Sequence, residues 1–159
     1  MPRLIVALAI ASAILSCSAS RPNTPITPAE YSRDPIMQGP EAAECKTGAP
    51  SKIVYGIGQA ESSGEPNPRH RIKTVKGRYG LDERYHEERA RKYGNYDPLD
   101  PWDAAYVTAR LYNDNLKILK LSDFAVAAHY QGPTGVKRNG PIWSYVYKVM
   151  GKESFSDYR

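Results

Sequence analysis

Glycine and proline cut residues 51–151 into short helical segments, and this limits the fold more than any other feature. Ser51 is positioned to cap a helix running to about Ser63, with Ile53 and Ile57 on one row and Gly64 as its stop. Residues 64–80 hold Gly64, Pro66, Pro68, Gly77 and Gly80, which predicts a long loop or a small hairpin. A stretch that irregular inside a compact domain usually carries function. A charged helix is expected from about Asp82 to Tyr93, ending at Gly94. Asp100-Pro101-Trp102-Asp103 combines a cap, a proline at the first helical position and an acid in the first turn. That helix should reach about Lys120, with Leu111, Asn115, Ile118 and Leu119 marking part of one face. Ser122 is expected to cap a short apolar helix ending at Gln131, before Gly132-Pro133, and Pro141 to open a last helix that stops at Gly151. The pattern predicts a mainly α domain with one core and no internal repeat.

Glu61 stands out within this frame. It falls on the step after Ile53 and Ile57, so it extends an apolar row with a carboxylate. It also lies in the last turn before Gly64, where the helix dipole disfavours negative charge. Both effects are expected to raise its pKa toward the range a general acid needs. The competing reading is a solvated glutamate near a helix end.

The first seventeen residues belong to another physical class. Arg3 precedes a twelve-residue apolar run, Leu4 to Leu15, broken only by Ser12, and small residues follow. This is the pattern of a secretory signal, and the run is short for a membrane span. Ile14-Leu15-Ser16-Cys17 resembles a bacterial lipobox, which makes Cys17 the candidate lipidated N-terminus; Leu15 is bulkier than the usual residue there. Cleavage near Ala19 and a retained anchor are the alternatives. Residues 18–50 carry Pro22, Pro25, Pro28, Pro35, Pro40 and Pro50 and read as an extended tether, with residues 51–159 as the folded domain. The only other cysteine is Cys45, which lacks a partner if Cys17 is lipidated and can pair with it in an oxidising compartment if not. No clustered Cys or His spacing suggests a metal, and no cofactor is expected. The formal net charge is +5, which suits an anionic polymer such as a bacterial wall or simply a solvated surface. The basic residues read as scattered rather than striped, so nucleic acid is not expected as a partner.

Several segments carry a family resemblance in order. Glu61-Ser62-Ser63 closes an apolar helix. Gly77-Arg78-Tyr79-Gly80-Leu81 follows, then Asp97-Pro98 before a long helix. Ala125-Val126-Ala127-Ala128-His129-Tyr130-Gln131-Gly132-Pro133 comes next, continued by Val136, Arg138 and Gly140. Tyr145-Val146-Tyr147-Lys148-Val149 closes the series. Together these resemble the Glu-Ser, Gly-x-x-Gly-Leu, Ala-Ala-Tyr-Asn-x-Gly-Pro and Tyr-Val-x-x-Val segments of lytic transglycosylases of the soluble-lytic type. Each is weak alone; their order and spacing over about residues 51–150 are what is specific. Two departures stand out. The family's Gly-Leu-Met-Gln is Gly80-Leu81-Asp82-Glu83 here, and its Tyr-Asn is His129-Tyr130.

The resemblance implies a lysozyme-like fold and cleavage of the bond between N-acetylmuramic acid and N-acetylglucosamine in peptidoglycan. It implies Glu61 as the catalytic acid and then base, with Tyr145 orienting its carboxyl. It also implies Ser62, Ser63, Tyr79, Gly80, Leu81, Glu83, His129, Tyr130 and Gln131 along the glycan. Tyr79, Trp102 and Trp143 are further candidates for stacking on sugar rings, or for the core. Asp82 and Glu83 are the acids that could activate water, but acids at a helix start are also explained by capping and the dipole. The cellular setting implied is wall remodelling, gap-opening for a secretion apparatus, or lysis. An inert wall-binding module of the same fold and a hydrolytic muramidase are the alternatives.

The lipobox gives a first expectation. Cys17→Ala should shift the protein from the membrane to the soluble fraction, since stable anchoring depends on the acyl chains. An intact mass matching an unmodified chain that begins near Ser20 contradicts it.

Overall fold

Alanine and valine, rather than large side chains, line most of the helix contacts. The computed structural model describes residues 35–151, and within them the order is helices α1 (Pro35–Thr47) and α2 (Ser51–Ser62), strands β1 (Val75–Lys76) and β2 (Leu81–Asp82), a 3-10 turn (Glu83–Tyr85), then helices α3 (His86–Tyr93), α4 (Pro101–Leu119), α5 (Ser122–Asn139) and α6 (Trp143–Met150). The long helix α4 buries Ala104, Ala105, Val107, Thr108, Ala109, Tyr112 and Asn115. Helix α5 buries the run Ala125 to Ala128. Short side chains let helix axes approach closely, so α4 packs against both α1 and α5, while α2 packs against α6 and α1. One cluster joins all of these, with Val54, Ile57, Tyr79, Leu81, Val126, Val136 and Val146 near its centre. The domain is mainly α, as expected.

Two strands of two residues form the antiparallel hairpin within the loop, pairing Val75 with Asp82 and Lys76 with Leu81. Gly77 and Gly80 take positive φ in its turn. A Cβ on Gly77 would lie 2.0 Å from the Pro98 carbonyl oxygen, so only glycine fits where the hairpin meets the segment leading to α4.

The structure departs from the sequence reading in five places. The tether cannot extend to residue 50, because Pro35–Thr47 is a helix. Gly39 lets that helix approach the start of α4: a Cβ there would lie 3.0 Å from the Pro101 carbonyl oxygen. Pro40, Ala42 and Ala43 are buried beneath it, and Asn113 donates to the Thr47 carbonyl at 2.9 Å. Proline content hid this helix because the packing, not the propensity, holds it. Ser51 and Ser122 are first helical residues rather than caps; Pro50 and Leu121 precede them, without side-chain capping bonds. The Ser122 hydroxyl instead meets the Tyr112 hydroxyl at 2.9 Å. Gly132, at φ 71 and ψ 156, ends the first helical stretch of α5 as expected, but Pro133 opens a second stretch to Asn139 that the sequence reading did not include. Ile118 is exposed, while Leu111, Asn115 and Leu119 lie in or against the core as inferred. The last helix starts at Trp143, not Pro141. Asp100 is a true cap, accepting from the Trp102 and Asp103 backbones at 2.9 Å.

The signal segment, Cys17 and the rest of the proposed tether lie outside the described residues. Cys45 is disulfide-bonded. Cys17 is the one other cysteine in the sequence, so pairing with it and lipidation of it exclude one another.

The α2–α6 contact generates a prediction. A Cβ on Gly56 would lie 2.2 Å from the Val149 carbonyl oxygen, and backbone cannot swing aside as a side chain can. Gly56→Ala should destabilise the domain by about 1–3 kcal/mol or more, read by chemical denaturation. Unchanged stability would mean the two helices are not in contact there.

Candidate functional site

The end of α2 is built to present Glu61. Ser63 takes the left-handed conformation, φ 55, and its amide bonds back to Gln59. The Ser62 hydroxyl donates to the Gly58 carbonyl at 2.7 Å and accepts from the Gly64 amide at 3.1 Å. Arg78 donates to the Gly64 carbonyl at 2.6 Å, and the Lys148 ammonium donates to the Ala60 carbonyl. Of the carbonyls that α2 leaves open at its C-terminus, Gln59 is met by the Ser63 amide, Ala60 by Lys148 and Ser62 by the Glu65 amide, while Arg78 holds the turn just past them. The cations also suit the negative end of the helix dipole.

Glu61 itself is half-buried between α6 and the hairpin turn. The Tyr145 hydroxyl donates to Oε1 at 2.7 Å. Oε2 lies against Gly80: a Cβ there would sit 2.7 Å from it. Burial, the Glu61 charge and this hydrogen bond all push the Tyr145 hydroxyl well above the usual tyrosine range. Tyr145 is therefore a neutral donor at any physiological pH. Tyr130 stacks on it, with centroids 5.2 Å apart and planes 27° apart, and remains 62% exposed. Glu61 thus has one oxygen fixed by a phenol and the other against a bare backbone, beside an open aromatic ring.

His129 fixes that backbone. Its Nε2–H donates to the Tyr79 carbonyl at 2.9 Å, tying α5 to the residue before Gly80. Its ring is packed inside, and this burial lowers its pKa below the usual histidine value; the Glu61 charge and the Tyr79 carbonyl oppose the shift. Burial thus favours the neutral imidazole with its proton on Nε2, the nitrogen that donates to the carbonyl.

Other expected glycan contacts are committed to structure. Tyr79 and Leu81 are almost fully buried, and burial pushes the Tyr79 hydroxyl up to about 12. Tyr79 lies under Gly58, where a Cβ would meet its ring edge at 3.0 Å, so it is core rather than a stacking platform. The Gln131 amide donates to the Gly140 carbonyl at 2.8 Å and accepts from the Ile142 amide at 3.1 Å, which clasps the turn into α6. Ser62 is consumed by the helix end, while Ser63 is exposed beyond it. Trp102 is half-buried at the start of α4. Trp143 is exposed, with its ring edge-on to Phe124 at 6.3 Å. Of the residues expected along the glycan, Gly80 and Tyr130 adjoin the Glu61–Tyr145 pair, and His129 supports it from behind.

Neither nearby acid is a free base. The Asp82 carboxylate caps the Arg84 amide at 3.0 Å and takes the Arg84 guanidinium at 2.6 Å and 3.0 Å. The Arg84 hydrogen bond is the main cause of its low pKa, about 2. Glu83 is exposed and faces Lys76 at 3.9 Å. Asp82 caps the 3-10 turn that precedes α3, and Glu83 is the first residue of that turn.

Sequence reasoning missed Lys148 and Arg78 as closures of α2. Nothing in their spacing marks them, because each arrives from a distant segment. A surface depression of about 310 Å³ between Thr47 and α4 is lined by Arg110, Asn113, Asp114, Leu116 and Lys117, none of them in the Glu61 group. Its Asp114 is held by Lys92 at 2.7 Å and the Tyr93 hydroxyl at 2.7 Å, a structural ion cluster.

No family model matches this chain, and no curated protein matches it. The site therefore has to be judged on its own geometry.

The His129 arrangement predicts a pH dependence of stability. A histidine whose folded pKa is depressed binds fewer protons folded than unfolded. Stability is then full above the unfolded value of about 6.5 and falls as pH drops below it, by at most about 1.4 kcal/mol per pH unit. His129→Gln keeps a donor and should flatten this slope between about pH 6.5 and 5. Denaturation midpoints that fall equally in both proteins contradict the assignment.

Proposed function

We propose that the chain is a peptidoglycan lytic transglycosylase with a lysozyme-like fold. Glu61 serves as acid and then base. The observation that carries the reading is the Tyr145 hydroxyl on Glu61 Oε1 at 2.7 Å, with Oε2 left against the bare Gly80 backbone. Because the phenol donates to Oε1, the carboxylic proton resides on Oε2. Oε2 is then the atom that protonates the glycosidic oxygen as the bond to the muramic anomeric carbon breaks. The muramic 6-hydroxyl attacks that carbon, and the Glu61 carboxylate accepts its proton. The carboxyl is regenerated for the next cycle, and the product ends in a 1,6-anhydro ring. The attacking hydroxyl is held by the sugar itself, so its effective concentration far exceeds that of a loosely held water. Tyr130, exposed beside Tyr145, offers an aromatic face to a sugar ring. The binding of Asp82 by Arg84 counts against a water-activating second carboxylate.

The ordered sequence segments add support, and the departures at Glu83 and His129 favour a substrate cleft altered from that of the resembled family. The proposed setting is the bacterial wall of an exported, lipid-anchored protein, in remodelling, secretion or lysis.

Glu61→Gln tests the role directly. It preserves shape and removes the proton, so muropeptide release from purified wall should fall about 10²–10⁴-fold while the melting temperature holds or rises. Tyr145→Phe should cost less, since it loosens the carboxyl rather than deleting it. Muropeptide release by Glu61→Gln at the wild-type rate contradicts the proposal.

A further inference from the structure

We propose that residues 69–78 form a cationic lip that docks the carboxylates of wall stem peptides beside Glu61. The inference rests on the wall-substrate reading above and names the part of that substrate the lip would hold. The segment carries Arg69, Arg71, Lys73, Lys76 and Arg78, and no Asp or Glu lies between Glu65 and Asp82. The impression of scattered basic residues thus fails at this one place.

Three of these cations are available. Arg69, Arg71 and Lys73 are exposed, and among the described residues their side chains make no hydrogen bond or ion pair. Ile72 between them is 57% exposed. A merely solvated surface mixes signs, as α3 does with Glu87, Glu88, Arg89, Arg91 and Lys92. Lys76 faces Glu83, but Arg69, Arg71 and Lys73 concentrate one sign without an acidic neighbour in the segment, which favours a partner of opposite charge.

The lip is held in shape, and its Arg78 end adjoins the site. His70 donates from Nε2 to the Gly77 carbonyl at 2.8 Å, and the Val75 amide donates to the Ile72 carbonyl at 3.0 Å. Arg78 ties the segment to Gly64, just past Glu61. The chain leaves the site at Gly64 and returns to it at Gly80, under the Glu61 carboxylate. A polymer lying across Glu61 therefore passes the lip.

The chemistry favours a carboxylate-bearing glycopeptide. Stem peptides branch from the muramic ring whose bond Glu61 would break, and their carboxylates are spaced along a flexible chain that separate arginine and lysine heads can meet. Single-stranded nucleic acid calls for aromatic rings interleaved with the cations; residues 69–78 contain no Phe, Tyr or Trp, and their one imidazole, His70, is tied to the Gly77 carbonyl.

The test is co-sedimentation of the full chain with purified wall sacculi, using Glu61→Gln as background so that cleavage does not enter. Replacing Arg69, Arg71 and Lys73 together by Gln changes only exposed side chains and should leave the fold intact. The bound fraction at low salt should fall about fivefold or more, and the difference should vanish near 0.5 M salt, where screening is short-ranged. Amidating the wall carboxylates should weaken the parent to the level of the triple variant. On the Glu61 background of the wild type, the same triple change should raise KM on wall with kcat within about twofold. Equal sedimentation of parent and triple variant overturns the proposal. So does undiminished binding to amidated wall, or tighter binding to phosphatidylglycerol vesicles or single-stranded DNA than to wall. Cation-dependent sedimentation by a protein that releases no muropeptide supports the lip and contradicts the catalytic reading, so the two failures are distinguishable.

Discussion

A single hydrogen bond, Tyr145 to Glu61, joins residues 84 positions apart, and the surrounding packing serves to make it. It requires α6 to lie directly on α2, which Gly56 permits by leaving room for the Val149 carbonyl. It requires the end of α2 to be fixed, which Ser62, Arg78 and Lys148 do by bonding carbonyls in its last turns and just past it. It also requires the hairpin turn to support the other carboxyl oxygen, which Gly80 does and His129 secures from α5. Four segments far apart in sequence thus converge on one side chain. Small residues dominate these contacts because backbone, rather than side chains, must come close to the carboxylate.

This explains an economy in how the site uses its residues. His129 and Gln131 occupy positions where the resemblance implied glycan contact, yet each satisfies backbone groups elsewhere: His129 the Tyr79 carbonyl, Gln131 the turn from Gly140 to Ile142. Buried carbonyls and amides must find partners, and these side chains meet that demand where the chain bends sharply. Only Tyr130 is left exposed beside the carboxyl. The glycan proposed for this site would meet an aromatic face there and the cations of the loop beyond it.

The fold was legible wherever local chemistry fixes it. Asp100-Pro101 starts α4, Gly64 and Gly94 follow helix ends, and Asp82 caps the turn before α3, all as their residue types require. Glu61 was legible because a carboxylate on an apolar row is rare. Helix α1 was not, since its formation depends on Gly39 and Ala43 meeting a helix more than fifty residues later. Nor was the continuation of α5 past Gly132, where helix resumes because the second half packs Val136 into the core. The support from Lys148 was invisible for the same reason. Local rules give helix starts and stops, while the partners that hold a carboxyl come from tertiary contact.

The central claim concerns which nucleophile reaches the anomeric carbon. Mass spectrometry of muropeptides released from purified wall distinguishes the outcomes, because an anhydro end is lighter than a hydrated end by one water, about 18 Da. A single Glu61 carboxyl, with Asp82 bound by Arg84, predicts that nearly all ends are anhydro. Predominantly hydrated, reducing ends would contradict the account, since they require a base for water that the site around Glu61 does not offer.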